Sequence, residues 1–326
     1  MTYPKRVIIE SEYTCNLRCL TCCLWHNNYR KLRNEEEVIS ITDMREMLIK
    51  LSADGIKHIS FIGGEPFIKD YILEAGLFAK KLAVKTSAVT NGTVFCGSLA
   101  EDCVRFEAFD ELIFSIDGYR KNHDILRGEG VYDIVERNIK NLCEIKRRYN
   151  RKKPSIMIYM TLSRYNFKDF DKDVMKLMKL NPSLLRIQLA SSLSKDVINK
   201  TNQMLGGVFV NHHSYSVDVS LHCDEIPLIR DKVRRLKMIH GGRIKAEKIL
   251  EGSNPLCQFL FKSAVITPSG RILPCPMLVN FDIGNIKKTS LKDAFIENEK
   301  RIRKIEHFSF TAPDICRQCC VEKIMS

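Results

Sequence analysis

The cysteines of this 326-residue chain are the residues whose type and spacing point most directly to chemistry. Thirteen are present, and the three that form Cys15-x3-Cys19-x2-Cys22 lie on one short segment near the amino end. Three thiolates on one loop can bind three irons of a 4Fe–4S cubane. The fourth iron then stays open, and an open coordination position distinguishes a reactive metal site from a sealed structural one.

Zinc is the alternative occupant of this loop, with Cys23 or His26 as a fourth ligand. Structural zinc sites usually combine two closely spaced ligand pairs, whereas this loop offers a single group of three cysteines followed by further candidates. With zinc, the chain would be a zinc-stabilised binding module and not an enzyme. Iron analysis of the purified protein separates the two interpretations.

A second group of cysteines lies in the last quarter of the chain. A hairpin predicted over residues 264–273 turns back at Gly270 and brings Cys275 toward Cys257, and a Cys-x2-Cys pair closes the set. The predicted ligands are Cys257, Cys275, Cys316 and Cys319, with Cys320 as a substitute for Cys319. Four thiolates suit either a fully ligated cluster or zinc, and the spacing does not choose between them.

Six strands alternating with helices must position these residues. The predicted strands are Val7–Glu10, His58–Ile62, Val84–Val89, Leu112–Ile116, Ile156–Leu162 and Leu184–Leu189. Strict alternation predicts a parallel sheet with right-handed crossovers. Six units are too few for a closed eight-stranded barrel, so the expected fold is α/β, either an open (β/α)6 barrel or a doubly wound sheet. In both, ligands bind at the carboxyl ends of the strands.

Three further motifs follow predicted strands at this edge. They are Gly63-Gly64-Glu65-Pro66 after the second strand, Thr90-Asn91-Gly92 after the third, and Ser115 with Asp117 at the end of the fourth. Two glycines allow the backbone to approach a ligand closely, and a carboxylate accepts hydrogen bonds from an ammonium group. Residues two apart on a strand share a face, which suits Ser115 and Asp117 to binding hydroxyl groups.

These motifs, in this order, resemble those of the radical S-adenosylmethionine (SAM) superfamily. The resemblance implies that SAM chelates the open iron and is cleaved to a 5′-deoxyadenosyl radical that abstracts a hydrogen atom. It assigns the Gly63–Pro66 segment to the methionyl amine, Ser115 and Asp117 to the ribose, and Asn91 to the surroundings of the ligand. Arg127, in a further family-like segment, would contact the SAM carboxylate or a substrate, or lie on a surface loop.

The segments Gly270–Cys275, Ile283–Ile286 and Ser290–Ala294 resemble the SPASM/twitch extension of the same superfamily. The chain ends seven residues after Cys319, so the resemblance implies the shorter twitch form with one auxiliary 4Fe–4S cluster. The expected domains are a core at 1–195, a bridging segment at 196–250 with an extra strand at Val217–Leu221, and a twitch domain at 251–326.

Twitch enzymes include dehydrogenases and epimerases of aminoglycoside biosynthesis. By this resemblance we expect oxidation of a polyol or aminosugar, with the auxiliary cluster as electron acceptor. Arg164 and Arg186, near the ends of the fifth and sixth strands, would act in the barrel by orienting hydroxyls. One alternative is an epimerase in which Cys223 returns a hydrogen atom. Another is a maturase that modifies a peptide.

The composition limits the setting and the partners. Hydrophobic residues at 44% and charged residues at 28% indicate a soluble globular chain. Neither a signal peptide nor a membrane span is recognisable, and unpaired thiols suit a reducing compartment, so we expect the cytoplasm. The net charge of +13 would attract an acidic electron donor such as flavodoxin or ferredoxin. The basic run 146–153 falls at a helix end away from the active site, where a solvated surface is favoured over nucleic-acid binding.

Overall fold

The computed structural model describes residues 3–22, 24, 39–190, 195–205, 219–222, 224–251, 260–276 and 278–311. Within these ranges the strands form one mixed sheet of nine members. They are β1 (Arg6–Glu12), β2 (His58–Gly63), β3 (Lys85–Thr90), β4 (Glu111–Ser115), β5 (Ser155–Leu162), β6 (Leu184–Leu189), β7 (Ile244–Ala246), β8 (Ser263–Ile266) and β9 (Ile272–Leu273).

The order of the strands in the sheet is β7-β6-β5-β4-β3-β2-β1-β8-β9. All neighbours from β7 to β8 are parallel, and only the β8–β9 hairpin is antiparallel. The two terminal strands do not pair, so the sheet is open. The predicted α/β partial barrel is therefore confirmed.

Helices alternate with most of these strands along the chain. They are α1 (Ile41–Ala53), α2 (Tyr71–Lys81), α3 (Gly97–Arg105), α4 (Lys121–Arg127), α5 (Val131–Arg148), α6 (Phe170–Leu177), α7 (Lys195–Leu205), α8 (Glu225–His240), α9 (Lys248–Glu251), α10 (Leu291–Glu297) and α11 (Glu299–Thr311). None of the helices described is both long and apolar enough to cross a membrane.

The strand β5 shows how the sheet separates the core from the barrel interior. Its burial alternates, with Ile156, Ile158, Met160 and Leu162 buried among the helices. Side chains on a strand alternate between its two faces, so Tyr159 and Thr161 lie on the inner face. Gln188 on the adjacent β6 donates a hydrogen bond to Thr161 Oγ1 across 2.9 Å. Polar side chains of β5 and β6 therefore line this part of the barrel interior, while the apolar core lies between sheet and helices.

The sheet continues beyond the six predicted strands on both edges. Strand β7 pairs with β6, so part of the predicted bridging segment belongs to the sheet. The extra strand predicted at Val217–Leu221 is wrong where it can be checked, because residues 219–222 are not in a strand, and residues 217 and 218 lie outside the described residues. Strand β7 was not predicted because its three residues are too few to show a hydrophobic period in the sequence.

The carboxyl-terminal part of the chain is attached to the core along β1 and α1. Strand β8 pairs with β1, and Asp54 Oδ2 accepts from the backbone nitrogens of Leu291 at 2.7 Å and Lys292 at 3.3 Å. Lys50 Nζ donates to the carbonyls of Ile286 and Lys287. The predicted hairpin is present, with Gly270 in its turn at a φ of 88°. The division into three domains stays a prediction.

Candidate cluster and SAM site

The cysteine loop begins three residues after the end of β1, at the carboxyl edge of the sheet. Cys19 is buried, whereas Cys15 and Cys22 are half-buried. The Cys22 nitrogen donates to the Cys19 carbonyl across 3.1 Å, and the Leu20 nitrogen donates to the Leu126 carbonyl across 2.8 Å. The second bond links the loop to helix α4. The three thiols are thus held on one ordered turn.

Burial raises the pKa of all three thiols, and that of Cys22 reaches about 11. Cysteine binds metal as thiolate, so a bound cluster must replace three protons at this loop. Donors that favour thiolate are already in place. Leu17 N–H lies 3.4 Å and Asn91 Nδ2 3.7 Å from Cys15 Sγ, and Arg127 Nη1 lies 4.0 Å from Cys19 Sγ. The donor set therefore fits a 4Fe–4S cluster bound through three cysteines.

The glycine pair Gly63 and Gly64 packs directly against the chain that leads into the cysteine loop. A Cβ atom on Gly63 would lie 2.2 Å from the Glu12 carbonyl oxygen, and one on Gly64 would lie 2.2 Å from the Thr14 carbonyl oxygen. The Glu65 nitrogen also donates to the Thr14 carbonyl across 2.9 Å. These glycines are required because two backbones approach closely here, and this contact positions Cys15.

Glu65 is fully buried, and both of its carboxylate oxygens have protein donors. Oε1 accepts from Thr90 Oγ1 at 2.8 Å and Phe67 N at 3.2 Å, and Oε2 accepts from Asn91 N at 2.6 Å. Burial raises the pKa of Glu65 to about 7, although these hydrogen bonds act to lower it. The carboxylate thus joins the turn after β2 to the end of β3. Its predicted role toward the methionyl amine of SAM stays a prediction.

Asp117 and Arg127 form a buried ion pair beside the cysteine loop. Arg127 Nε donates to Asp117 Oδ2 across 2.6 Å, with side-chain exposures of 13% and 0%. The other oxygen, Oδ1, accepts from Thr161 N at 2.9 Å. Asp117 and Cys19 are among the groups that raise the pKa of Arg127, so the guanidinium is a permanent cation here. The surface-loop interpretation of Arg127 is therefore wrong, because the residue ends helix α4 inside the protein.

Sequence reasoning missed the groups that hold this pair in place. His123, one turn before Arg127 on α4, is fully buried and its Nδ1 accepts from the Asp117 nitrogen at 3.1 Å. Asn166 Nδ2 donates to the carbonyls of Asp117 at 2.6 Å and Thr161 at 2.8 Å. The i, i+4 spacing of His123 and Arg127 places both side chains on one face of a helix, and this was the one sequence feature that pointed to His123. No feature of the neighbouring sequence indicates a role for Asn166.

The remaining predicted site residues fall in different places. Pro66 begins a 3-10 turn, and Ser115 is the last residue of β4, paired with Tyr159 of β5. Arg164 is exposed just after β5, and its nitrogen donates to the Val219 carbonyl. Arg186 lies in the middle of β6 and not at its end; it is 3% exposed.

The second cysteine group is described only at Cys275. This residue is half-buried shortly after β9, and its carbonyl accepts from the Leu278 nitrogen across 3.2 Å. Four predicted residues lie outside the described residues, namely Cys223, Cys257, Cys316 and Cys319. Their predicted roles stay predictions.

Two family models match the chain. Residues 9–177, a little over half of the chain, match the radical SAM superfamily, and residues 257–320 match an iron–sulfur cluster-binding domain of the SPASM type. The chain therefore belongs to the radical SAM superfamily and carries a SPASM-type domain. These matches imply SAM and 4Fe–4S clusters as cofactors, and they replace the zinc-stabilised binding module as the explanation of the cysteines.

Among similar proteins, a cofactor-modifying protein of the tungsten-containing aldehyde ferredoxin oxidoreductase of Pyrococcus furiosus is 21% identical over 89% of this chain and 80% of its own length. A probable GTP 3′,8-cyclase of Pyrococcus horikoshii is 30% identical over 43% of each chain. An uncharacterised protein of Archaeoglobus fulgidus is 27% identical over 55% of this chain and 41% of its own length. The chain thus spans less than half the length of two of these three relatives.

Solved structures share the fold at low identity. Streptococcus suis SuiB bound to its precursor peptide SuiA superposes with a TM-score of 0.72 and 15% identity, covering 94% of this chain and 68% of SuiB. The enzyme anSMEcpe, solved with AdoMet and the Cp18Cys peptide, gives a TM-score of 0.68 and 18% identity, covering 98% and 91%.

Proposed function

We propose that this protein cleaves SAM reductively and abstracts a hydrogen atom from a small hydroxyl-rich substrate, with a polyol or aminosugar favoured and oxidation as the outcome. When bound, the first cluster and SAM supply the 5′-deoxyadenosyl radical. The observation that carries the substrate class is the polar inner face of β5 and β6. A reducing cytoplasm, which keeps thiols available for the clusters, completes the proposal.

The Tyr159–Arg186 pair dominates this face. The Arg186 guanidinium carbon lies 5.5 Å from the centroid of the Tyr159 ring, and the two residues are cross-strand neighbours. Burial raises the pKa of Tyr159, so its hydroxyl stays protonated and can donate to a substrate oxygen. Arginine has five donors and no acceptor. The pair therefore suits a ligand that presents several oxygen acceptors.

Thr161 and Gln188 extend the polar face toward the carboxyl edge. The Gln188 amide donates to Thr161 Oγ1, and the Thr161 nitrogen donates to Asp117. A continuous line of polar groups thus runs from Arg186 to the Asp117–Arg127 pair beside the cysteine loop. A substrate placed on this line would reach from the barrel interior to the SAM site.

Oxidation of an alcohol to a ketone removes a hydrogen atom, a proton that would pass to solvent water, and one further electron. We assign the auxiliary cluster, with Cys257, Cys275, Cys316 and Cys319 as ligands, to the electron-accepting role. Arg186, on the inner face of the barrel, would orient the substrate, since arginine is too basic to take the proton. Arg164 is exposed just after β5 and is not assigned this role. An acidic flavodoxin or ferredoxin would supply the initial electron, attracted by the net charge of +13.

The test follows the hydrogen atom. The anaerobically reconstituted protein is incubated with SAM, dithionite and polyols deuterated at each carbon in turn. The proposal expects deuterium in 5′-deoxyadenosine and a ketone product, and neither from Cys19→Ala, which removes one cluster ligand. A substrate recovered with inverted stereochemistry and one solvent deuterium would instead support the epimerase, and Cys223→Ala would then abolish the inversion.

Peptide modification is the second candidate, because the fold neighbours SuiB and anSMEcpe were solved with peptides bound. The same deuterium experiment distinguishes it. Deuterium transfer from a peptide labelled at Cα or Cβ, with none from any polyol, would favour the maturase over the dehydrogenase.

A further inference from the structure

A concave region separate from the SAM site lies at the amino-terminal edge of β5 and β6. Its volume is about 840 Å³, and its lining includes the buried side chains of Ile139, Ile156 and Leu180. This volume is in the range of small-molecule sites. Strand β5 has eight residues, which separates this edge from the carboxyl edge by about 25 Å. The cavity therefore cannot be part of the substrate site.

The walls of the cavity are strongly basic. Seven lining residues carry a positive charge and one, Glu144, carries a negative charge. The basic residues are Lys140, Lys146, Arg147, Arg151, Lys152, Lys179 and Arg243. A concave wall of one sign of charge focuses the electrostatic potential and concentrates counter-ions.

Three segments of the chain bring these cations together. After α5 ends, Asn150 adopts a left-handed φ of 49°, and the Arg151 nitrogen donates back to the Lys146 carbonyl across 2.9 Å. A second left-handed residue, Asn181 at a φ of 53°, follows the turn that carries Lys179. Arg243, just before β7, donates to Asn181 Oδ1 across 3.1 Å. The backbone of these three segments thus brings together a group of cations that no single segment contains.

Carboxylates offset these seven cations only in part: Lys140 Nζ lies 3.3 Å from Glu136 Oε2 on the same helix, with the lysine largely exposed. Arg147 and Glu144 are 4.0 Å apart, and both are largely exposed, so water screens the pair. Lys146 Nζ donates to the neutral carbonyl of Pro154 across 2.6 Å, and its partial burial lowers the lysine pKa. In the part of the chain that the structure describes, Arg151 and Lys152 form no ion pair, nor does Lys179. The carbonyls at the end of α5 offset only about half a charge.

We propose that this cavity binds a triphosphate group, carried by inorganic tripolyphosphate or by a nucleoside triphosphate. Arginine forks match phosphate oxygens in pairs, and lysine adds point charges. The concave shape and the buried apolar residues in its lining favour a small polyanion over a nucleic acid or a protein surface. Binding here is independent of the proposed substrate, because the two sites lie at opposite edges of the sheet.

Isothermal titration calorimetry on the cluster-loaded protein tests the proposal with sodium tripolyphosphate, ATP and AMP at constant ionic strength. The variant Lys152→Glu/Lys179→Glu alters two cations of the cavity. Lys300→Glu/Lys304→Glu makes the same change of net charge at exposed positions on helix α11. The probes are the triphosphates alone, so the outcome does not depend on enzymatic activity.

We expect saturable 1:1 binding of tripolyphosphate, at least tenfold weaker in the cavity variant and within twofold of wild type in the Lys300/Lys304 variant. Equal affinity for ATP and tripolyphosphate identifies the phosphates as the recognised group, and tighter ATP binding identifies a nucleotide site. Absence of saturable binding, an equal loss in both variants, or binding of a single-stranded oligonucleotide that tripolyphosphate does not displace would each overturn the proposal.

Discussion

Arg127 bridges the Asp117 carboxylate and the Cys19 sulfur. Its Nε donates to Asp117 Oδ2 across 2.6 Å while its Nη1 lies 4.0 Å from Cys19 Sγ. One permanently charged side chain therefore balances a buried carboxylate and faces the thiolates that a cluster requires. It also joins helix α4 to the cysteine loop.

We predict that Arg127→Gln destabilises the fold and weakens SAM binding, because it leaves Asp117 buried without its cation. Removing one partner of a buried ion pair costs about 3 kcal/mol. Chemical unfolding and equilibrium dialysis with labelled SAM measure the two effects. Arg137→Gln, at an exposed position on α5, is the matched control.

The double variant Arg127→Gln/Asp117→Asn separates the two roles of Arg127. It removes both charges, so we expect it to regain part of the unfolding free energy without regaining affinity for SAM. Wild-type SAM affinity in the double variant would show that Arg127 acts on Asp117 alone.

Gly64→Ala is predicted to lower the iron content of the reconstituted protein. The new Cβ would lie 2.2 Å from the Thr14 oxygen, so the chain before Cys15 must move, at a cost of about 1–3 kcal/mol. Gly242→Ala is the control, because its Cβ meets no atom within 4 Å. Iron per chain and the charge-transfer absorbance report the result. Full cluster loading in Gly64→Ala would contradict the positioning role of the glycine pair.

His58 should make the protein less stable in mild acid. Burial and the Arg6 guanidinium lower its pKa from 6.5 to about 4. Arg6 and Lys85 flank His58 in register on β1 and β3, and both lower its pKa. Asp110 raises this pKa and offsets their effect only partly. The unfolded chain therefore takes up a proton near pH 6.5 that the folded chain takes up only near pH 4. Stability is full above pH 6.5 and falls as the pH decreases toward 4, by at most about 3 kcal/mol.

The variant His58→Gln should show a smaller loss of unfolding free energy between pH 7 and pH 4.5 than the wild type. His222→Gln, at an exposed position, should retain the wild-type profile. Parallel profiles for His58→Gln and wild type would rule out this source of the acid sensitivity.

Asp54→Ala is predicted to loosen the carboxyl-terminal part of the chain. Asp54 Oδ2 accepts from Leu291 N and Lys292 N at the start of α10, and loss of such a helix-start acceptor costs about 1 kcal/mol. Hydrogen exchange in residues 285–297 should accelerate roughly fivefold, as about 1 kcal/mol implies. Glu46→Ala, exposed on helix α1, which ends just before Asp54, should leave the exchange unchanged. Equal exchange in wild type and Asp54→Ala would show that the β1–β8 pairing holds this region without Asp54.

Arg186→Gln should uncouple the cleavage of SAM from the abstraction of hydrogen from the substrate. Its side chain is on the inner face of the barrel, away from the cysteine loop, so 5′-deoxyadenosine should still form while deuterium transfer from the polyol falls at least tenfold. Arg164→Gln changes an exposed arginine and should retain most of the transfer. A wild-type transfer rate in Arg186→Gln would remove this residue from the substrate site.

The sequence by itself determined the order of the fold and predicted Cys15, Cys19 and Cys22 as ligands of the first cluster. Hydrophobic period and turn residues are local properties, so the first six strands and the Cys15–Cys22 loop could be identified from neighbouring residues. The placement of Gly63, Asn91 and Asp117 at the carboxyl edge follows from strand order alone, because parallel strands end on the same side.

Only the tertiary structure decided which groups those residues contact. Glu65 meets Thr90 and Asn91 from the next strand, and Asp117 meets Thr161 across 44 positions of sequence. The short strand β7 and the basic cavity likewise depend on segments far apart in the chain. Spacing fixes which face a residue occupies, but a hydrogen-bond partner depends on how separate elements pack, and a single sequence holds no local signal of that packing.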